Sequence, residues 1–122
     1  IGLRLAAADP AARVALARAT SAPLPLIAAL HVQRQGERTA LLAAEIANLG
    51  ARPIDLSGAF IPGLGILSGT TLAPGERCAI GAGAHVPPCA GATSAAPPEL
   101  AAGERVWLLS ADGQELDQMS VP

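Results

Sequence analysis

Two cysteines and a histidine lie close together in the chain, at Cys78, His85 and Cys89. Thiolate and imidazole groups bind zinc, but neither cysteine has a closely spaced second cysteine, and no fourth ligand is evident. A disulfide between Cys78 and Cys89 explains the same residues more simply, because it would close a short loop in an exported protein. The sequence therefore predicts a disulfide, with two free thiols as the alternative.

The two histidines, His31 and His85, are the only candidates for a general base near neutral pH. A serine hydrolase of the nucleophile-elbow type needs Gly-x-Ser-x-Gly, and the nearest approach, "GILSG" (65–69), has the wrong spacing. We therefore expect His31 on an exposed strand face and His85 in solvent. The prediction is that this chain is not an enzyme.

The other residues that could bind a phosphate or a metal ion are better explained as turn residues than as parts of a binding site. "GLGILSG" (63–69) resembles a glycine-rich phosphate loop only loosely, and a chain without lysine cannot complete a Walker motif. The acids Asp55, Asp112, Glu115 and Asp117 do not have the spacing of a calcium loop. We interpret them as solvated turn residues, and predict neither a metal nor a cofactor.

Composition narrows the class of protein. The chain has 122 residues, the size of one domain, and its net charge is −2 with eight scattered arginines, so it lacks the basic surface that nucleic-acid binding needs. No apolar run reaches the length of a membrane span. The chain begins at Ile1, which is typical of a processed chain or an excised domain; a signal peptide would not be visible in this segment.

The N-terminal third supports two interpretations. "IGLRLAAA" (1–8) alternates like an edge strand, whereas 9–23 reads either as a helix started by Asp9 and Pro10 or as a short strand. Residues 36–50 have helical propensity and a terminal glycine. Residues 15–31 and 45–61, however, align at a shift of 30, and both read as strand, turn, proline, strand. That pattern favours β-structure.

From Pro53 onward, turn residues punctuate short apolar segments, which indicates an all-β sandwich or barrel. Asp112-Gly113 predicts a tight hairpin with positive φ. Pro74-Gly75 suits the centre of a type II turn. Residues 81–103, rich in alanine, proline and glycine, predict a long surface loop.

Three phrases together resemble the lamin-tail domain, an immunoglobulin-like sandwich found in nuclear lamins and in bacterial exported proteins. They are "EIANLGARPIDLSG" (45–58), "TTLAPGE" (70–76) and "GERVWLLSADGQELDQMSV" (103–121), and the similarity covers about 36–121. The family usually has tryptophan directly after "DLSG"; here Ala59 and Phe60 follow, so the core anchor is smaller and shifted. The closing strand also lacks the family's terminal aromatic residue.

The resemblance implies an all-β, immunoglobulin-like, two-sheet antiparallel sandwich formed by a single domain over 1–122. It also implies a non-catalytic accessory module for protein binding or surface attachment in a larger exported or cell-surface protein, with another protein or another domain as its partner. A binding surface is expected on the loop tip (83–98) and on "FIPGLGI" (60–66). The alternative is a self-assembling structural protein that associates through an edge strand such as 1–8, as a homo-oligomer.

Overall fold

A computed structural model describes Arg13 and residues 24–81, 85–94 and 96–122. The described ranges contain eleven strands. They are β1 (Pro25–Gln35), β2 (Arg38–Asn48), β3 (Ile54–Asp55), β4 (Phe60–Ile61), β5 (Gly65–Leu67), β6 (Thr71–Leu72), β7 (Arg77–Gly81), β8 (Gly91–Thr93), β9 (Glu99–Ala101), β10 (Arg105–Leu109) and β11 (Glu115–Ser120).

The strands form two main sheets and one small one, and all strand pairs are antiparallel. One sheet has the order β1-β2-β7, with β9 paired to the other end of β2. The second has the order β11-β10-β4-β5-β8, and β3 pairs with β6. The all-β antiparallel sandwich predicted from the sequence is confirmed.

The core lies between the two main sheets and consists of aliphatic side chains. Its largest members that are at most 4% exposed are Ile27, Leu41, Ile46, Leu56, Ile61, Leu64, Leu67, Leu72, Ile80, Val106, Leu108 and Val121. Ala59 is buried at the position where the resemblance expects tryptophan, and the neighbouring Phe60 is half-buried on the opposite side of its strand. The missing ring is therefore replaced by alanine and surrounding leucines, not by Phe60.

The choice between helix and strand is settled for residues 25–48, which form the long β1–β2 hairpin. Residues 38–48 have helical propensity, but as a strand they bury Leu41 and Ile46 between neighbouring strands, and this tertiary packing outweighs propensity. Of residues 9–23, only Arg13 is described, and its backbone is helical. The alternatives for 9–23 and the expected edge strand 1–8 lie outside the described residues.

A buried asparagine organises the first of the phrases that carry the resemblance. The Asn48 side chain, fully buried, accepts hydrogen bonds from the Leu24 N–H (3.1 Å) and the Gly50 N–H (3.0 Å). Its amide nitrogen donates to the carbonyls of Arg52 (2.7 Å) and Leu72 (3.0 Å). One side chain thus satisfies backbone groups from four separate points of the chain, which holds the end of β2 against β6.

The predicted turns are confirmed. The Ser57 N–H donates to Asp55 Oδ1 at 2.9 Å, and Leu56 between them turns inward and is 1% exposed. Gly75 has φ of +85° in the turn that follows β6. Gly113 has φ of +87° in the turn of the β10–β11 hairpin. Each turn uses glycine or a side-chain acceptor where the backbone geometry requires it.

The segment expected as one long loop contains two short strands. β8 pairs with β5, and β9 pairs with β2, so each extends a different main sheet. Gly91 begins β8 where an added Cβ would lie 2.1 Å from the Ile66 carbonyl oxygen, so only glycine allows this close approach. The segment therefore crosses from one sheet to the other along the side of the sandwich.

Candidate functional site

Cys78 and Cys89 are joined by a disulfide, with an Sγ–Sγ distance of 2.04 Å. The bridge holds the segment before β8 beside β7, where the Ala79 N–H donates to the Pro87 carbonyl (2.9 Å) and the Cys89 N–H donates to the Ala79 carbonyl (2.8 Å). Because both cysteines of the chain are used, neither thiol is left for a metal or for nucleophilic chemistry.

His31 does not lie on a freely exposed face, because it is paired with a buried acid. Its Nε2 lies 2.5 Å from Glu45 Oε2, and Arg77 Nη1 lies 3.6 Å from the other carboxylate oxygen. Glu45 is 9% exposed, so His31 and Arg77 supply polar partners to a carboxyl group that is largely removed from water. Among the described residues, Glu45 is the only hydrogen-bond partner of the His31 ring. This arrangement stabilises the β1-β2-β7 sheet and presents no nucleophile.

The remaining candidates for chemistry are dispersed. His85 is exposed, and Asp55 is engaged in its own turn with Ser57. Asp112 accepts a hydrogen bond from the Ser110 hydroxyl within the β10–β11 turn. Within the described ranges, no group of three His, Cys, Asp or Glu side chains is placed to hold a metal ion.

Asp117 has a structural role that the sequence did not reveal. One carboxylate oxygen accepts a hydrogen bond from Arg13 Nη1 at 2.8 Å, and the other accepts one from the Ile27 N–H, also at 2.8 Å. Asp117 is 7% exposed, so it is not a solvated turn acid as predicted, but a buried link between β11 and β1. Nothing in its sequence context distinguishes it from the exposed acids nearby.

An apolar row crosses the outward face of the five-stranded sheet. Phe60 is the cross-strand partner of both Leu109 and Ile66, and Ile66 is also the partner of Ala92. Direct partners share a face, so these four side chains lie side by side. Ile66 is 54% exposed, and Trp107, two residues before Leu109 on the same face, is 37% exposed. We call Leu109, Phe60, Ile66 and Ala92 the outward row.

A groove of about 200 Å³ opens beside β10, between the two main sheets. Its apolar lining comes from both sheets and their connections: Leu41, Pro62, Pro98, Leu100, Val106 and Trp107. Glu104 and Arg105, both exposed, also border it. The two segments expected to form a binding surface, 60–66 and 83–98, therefore both reach this groove, through Pro62 and Pro98.

Backbone groups of alternate β10 residues point to opposite sides of the strand. Two hydrogen bonds identify the sides: the Val121 N–H donates to the Glu104 carbonyl, and the Ser110 N–H donates to the Gln114 carbonyl, both at 2.8 Å. Glu104 and Ser110 therefore turn their backbone groups toward β11 and its flanks. The even-numbered residues between them do the same, and the odd-numbered residues point toward β4.

On the β4 side, the ladder ends after a single pair, Leu109 with Phe60. Continuing that register places Pro62 opposite Trp107, but proline has no N–H to donate, and the chain turns away there. Among the described residues, the backbone N–H and C=O groups of Arg105 and Trp107 have no hydrogen-bond partner. We call this stretch the open edge of β10; it runs along the groove.

Sequence reasoning did not find the open edge. A usable signal was present, because a proline directly after a two-residue strand stops that strand from continuing its ladder. Which strand would lose its partner depended on the order of the sheet, which a single sequence does not show. Trp107 and Phe60 are the chain's two aromatic residues of the Phe, Trp and Tyr types, but the place of Trp107 beside the groove was not predicted.

Comparisons with protein-family models, with curated proteins and with solved structures found no match for this chain. In the part of the chain that the structure describes, no helix has the length and apolar character needed to span a membrane.

Proposed function

We propose that this chain is a non-catalytic accessory module of the lamin-tail type, which binds another protein or another domain of its parent chain within a larger exported protein. The observation that carries the proposal is the outward row together with Trp107, in which exposed Ile66 and Trp107 lie next to half-buried Phe60 and Leu109. Soluble domains seldom leave a continuous apolar surface of this kind in water unless another surface covers it. Such a row favours protein binding or surface attachment over catalysis.

Two further features support the proposal. The Cys78–Cys89 disulfide is of a kind that persists in oxidising compartments, which supports export. The buried polar side chains Asn48 and Asp117 are occupied in holding the fold, and His31 is tied to Glu45. A sandwich whose polar side chains maintain the scaffold is suited to presenting a surface.

Site-specific photo-cross-linking tests the proposal. A benzophenone amino acid replaces Ile66 in the row and, as the matched control, exposed Gln33 at the end of β1. Irradiation of the parent protein in its own cells should yield one dominant adduct, with another protein or another domain of the parent chain, from position 66 and none from position 33. Equal adducts from both positions, or no adduct, would overturn the proposal. Adducts with a second copy of this chain would replace it with self-assembly.

A further inference from the structure

The open edge of β10 lies directly against the groove, and we propose that together they bind an extended segment of a partner protein as an added β-strand. This inference rests on the proposed function and specifies its binding mode and the chemistry of the ligand. Unpaired edge groups are a template for strand addition, in which backbone hydrogen bonds supply affinity and pockets for alternate side chains supply specificity.

The geometry of β10 determines how such a segment would lie. Arg105 and Trp107 present two N–H donors and two C=O acceptors on one side of the strand. An added antiparallel strand would pair one ligand residue with each of them, and a middle ligand residue would lie opposite Val106. Val106 is 4% exposed and points inward, so the middle ligand side chain points to the same side, into the groove.

The lining of the groove determines which side chain is favoured at the middle position of the ligand. Glu104 and Arg105, both exposed, border the groove. Its aliphatic lining is formed by Leu41, Pro62, Pro98, Leu100 and Val106. These side chains offer no charged group or amide, so an aliphatic side chain such as leucine, isoleucine or valine is favoured. The flanking ligand residues would lie on the outward side, near Trp107. The recognised pattern is therefore a polar residue, an aliphatic residue and a second polar residue in an extended backbone.

The size of the open edge favours a short segment over a second copy of this chain. Arg105 and Trp107 are two residues apart, about 7 Å along a strand. Contact of this extent falls well below the roughly 1,000 Å² that a stable interface between two folded proteins needs. A flexible segment makes this contact without needing further complementary surface. We therefore expect weak, reversible binding by the module alone.

Hydrogen exchange of the unbound protein tests the premise. The amides of Arg105 and Trp107 should exchange rapidly, because they have no hydrogen-bond partner in the part of the chain that the structure describes, and those of Val106 and Leu108 should be protected by their bonds to β11. Alternating protection along β10 is the expected result. Slow exchange at Arg105 and Trp107 would show that the edge is already occupied and would overturn the inference.

A designed peptide tests the binding mode. The probe is acetyl-Thr-Thr-Leu-Thr-Thr-amide, with leucine for the groove and β-branched threonines that favour extended backbone. Trp107 is the only tryptophan of the chain, so its fluorescence reports binding at the site. The peptide should shift that fluorescence saturably and slow the exchange of the Arg105 and Trp107 amides.

N-methylated peptides provide matched controls. Methylation of the two threonines that flank leucine removes the N–H groups that would face β10, and should weaken binding by at least about tenfold. Methylation of leucine removes an N–H that points away from β10, and should change affinity by less than about threefold. Equal effects of the two modifications would overturn strand addition.

The outcomes separate this inference from the proposed function. Substitution Ile66→Glu alters the outward row without touching the groove lining, so it should leave peptide affinity unchanged. If the peptide fails to bind while cross-linking at position 66 still gives a partner, strand addition is overturned and the protein-binding module remains. If the peptide binds and cross-linking gives no partner, the role of the outward row is overturned instead.

Discussion

Two turns in this molecule have nearly the same sequence but different surroundings. The first, "LAPGER" (72–77), joins β6 to β7, and the second, "LAAGER" (100–105), joins β9 to β10. They differ only in Pro74 and Ala102. Their comparison separates what six residues determine locally from what the rest of the fold adds.

Locally, the turns are the same. In the first, the Glu76 N–H donates to the Ala73 carbonyl at 3.0 Å, and the Glu76 carboxylate accepts from the Ala73 N–H at 2.7 Å. In the second, Glu104 and Ala101 make the same two bonds at 3.1 Å each. A proline therefore is not required for this geometry.

Tertiary contacts distinguish them. The first turn is attached to buried Asn48. The backbone carbonyl of Asn48 accepts a hydrogen bond from the Gly75 N–H (2.7 Å), and its backbone N–H donates to the Glu76 carbonyl (3.0 Å). The Asn48 side chain also donates to the Leu72 carbonyl. The second turn is attached by two backbone bonds to Val121, a buried residue that follows β11.

The strands that follow the turns differ in the same way. β7 is paired with β2 along its length, and on its other side it is bonded to the segment held by the disulfide. Along Arg105–Trp107, beside the groove, β10 is paired with β11 on one side and has no strand partner among the described residues on the other. The same turn therefore leads once into the scaffold and once into the proposed binding edge.

Among the changes that test this comparison, removal of the Asn48 side chain should lower the free energy of unfolding the most. Substitution Asn48→Ala leaves the N–H groups of Leu24 and Gly50 and the carbonyls of Arg52 and Leu72 without their partner, and we expect a loss of about 4 kcal/mol in unfolding free energy. Urea unfolding followed by Trp107 fluorescence measures it.

Substitution Asn48→Asp serves as a second test, because it places a carboxylate beside the carbonyl oxygens of Arg52 and Leu72 in a fully buried position; a loss at least as large as that of Asn48→Ala is expected at neutral pH. The exposed control Gln33→Ala should change stability by less than about 0.5 kcal/mol. A loss below about 1 kcal/mol for Asn48→Ala would show that the first turn does not depend on this residue.

Removal of the disulfide should have the next largest effect. The double substitution Cys78→Ala and Cys89→Ala opens a loop with a sequence separation of 11, and should lower the unfolding free energy by about 3 kcal/mol in the chain-entropy account. Hydrogen exchange should show that the Ala79 amide, bonded to Pro87, loses more protection than the Gly103 amide of the second turn. Equal losses at both amides would contradict a local role for the bridge.

Substitution of the turn glycines should give equal, smaller effects. Gly75 and Gly103 have φ of +85° and +83°, and neither has an atom within 4 Å of an added Cβ. Gly75→Ala and Gly103→Ala should each cost about 1–2 kcal/mol, through backbone strain alone. Parallel urea titrations compare them. A difference above about 1 kcal/mol would mean that tertiary contacts change the strain within the turn.

The smallest expected effect is a pH dependence of stability that comes from Asp55. This residue lies near the first turn, because it pairs with Thr71 of β6. The hydroxyl of Ser57 and then its N–H donate to the Asp55 carboxylate and lower the pKa of Asp55 below its ordinary value. Because the folded pKa is the lower one, the associated stability is present above the ordinary pKa and is lost as pH falls through the folded value.

Substitution Ser57→Ala removes the largest cause and should raise the pKa of Asp55 toward its ordinary value, as measured by carboxyl-carbon NMR titration. An unchanged Asp55 titration would show that the hydroxyl does not stabilise the carboxylate.

Much of the fold could be predicted because its information is local. Gly75 and Gly113 mark turns that need positive φ, and Asp55 supplies a side-chain acceptor two residues before an N–H donor. Such signals act within a few residues, so they keep their meaning before the chain is folded. The strand character of 38–48 was harder to predict, because local propensity favoured a helix and only packing between β1 and β7 outweighed it.

The sequence by itself therefore determined that the chain is all-β and where its main turns lie. It also favoured a disulfide between the two cysteines, with free thiols as the alternative. Only the tertiary structure decided that Asp117 is buried, that the Asn48 side chain bonds four backbone groups, and that Pro62 ends the ladder beside Trp107. The physical reason is the distance along the chain over which each interaction acts. Turn conformation depends on adjacent residues, whereas burial, strand order and an unpaired edge depend on segments that meet only after the chain has folded.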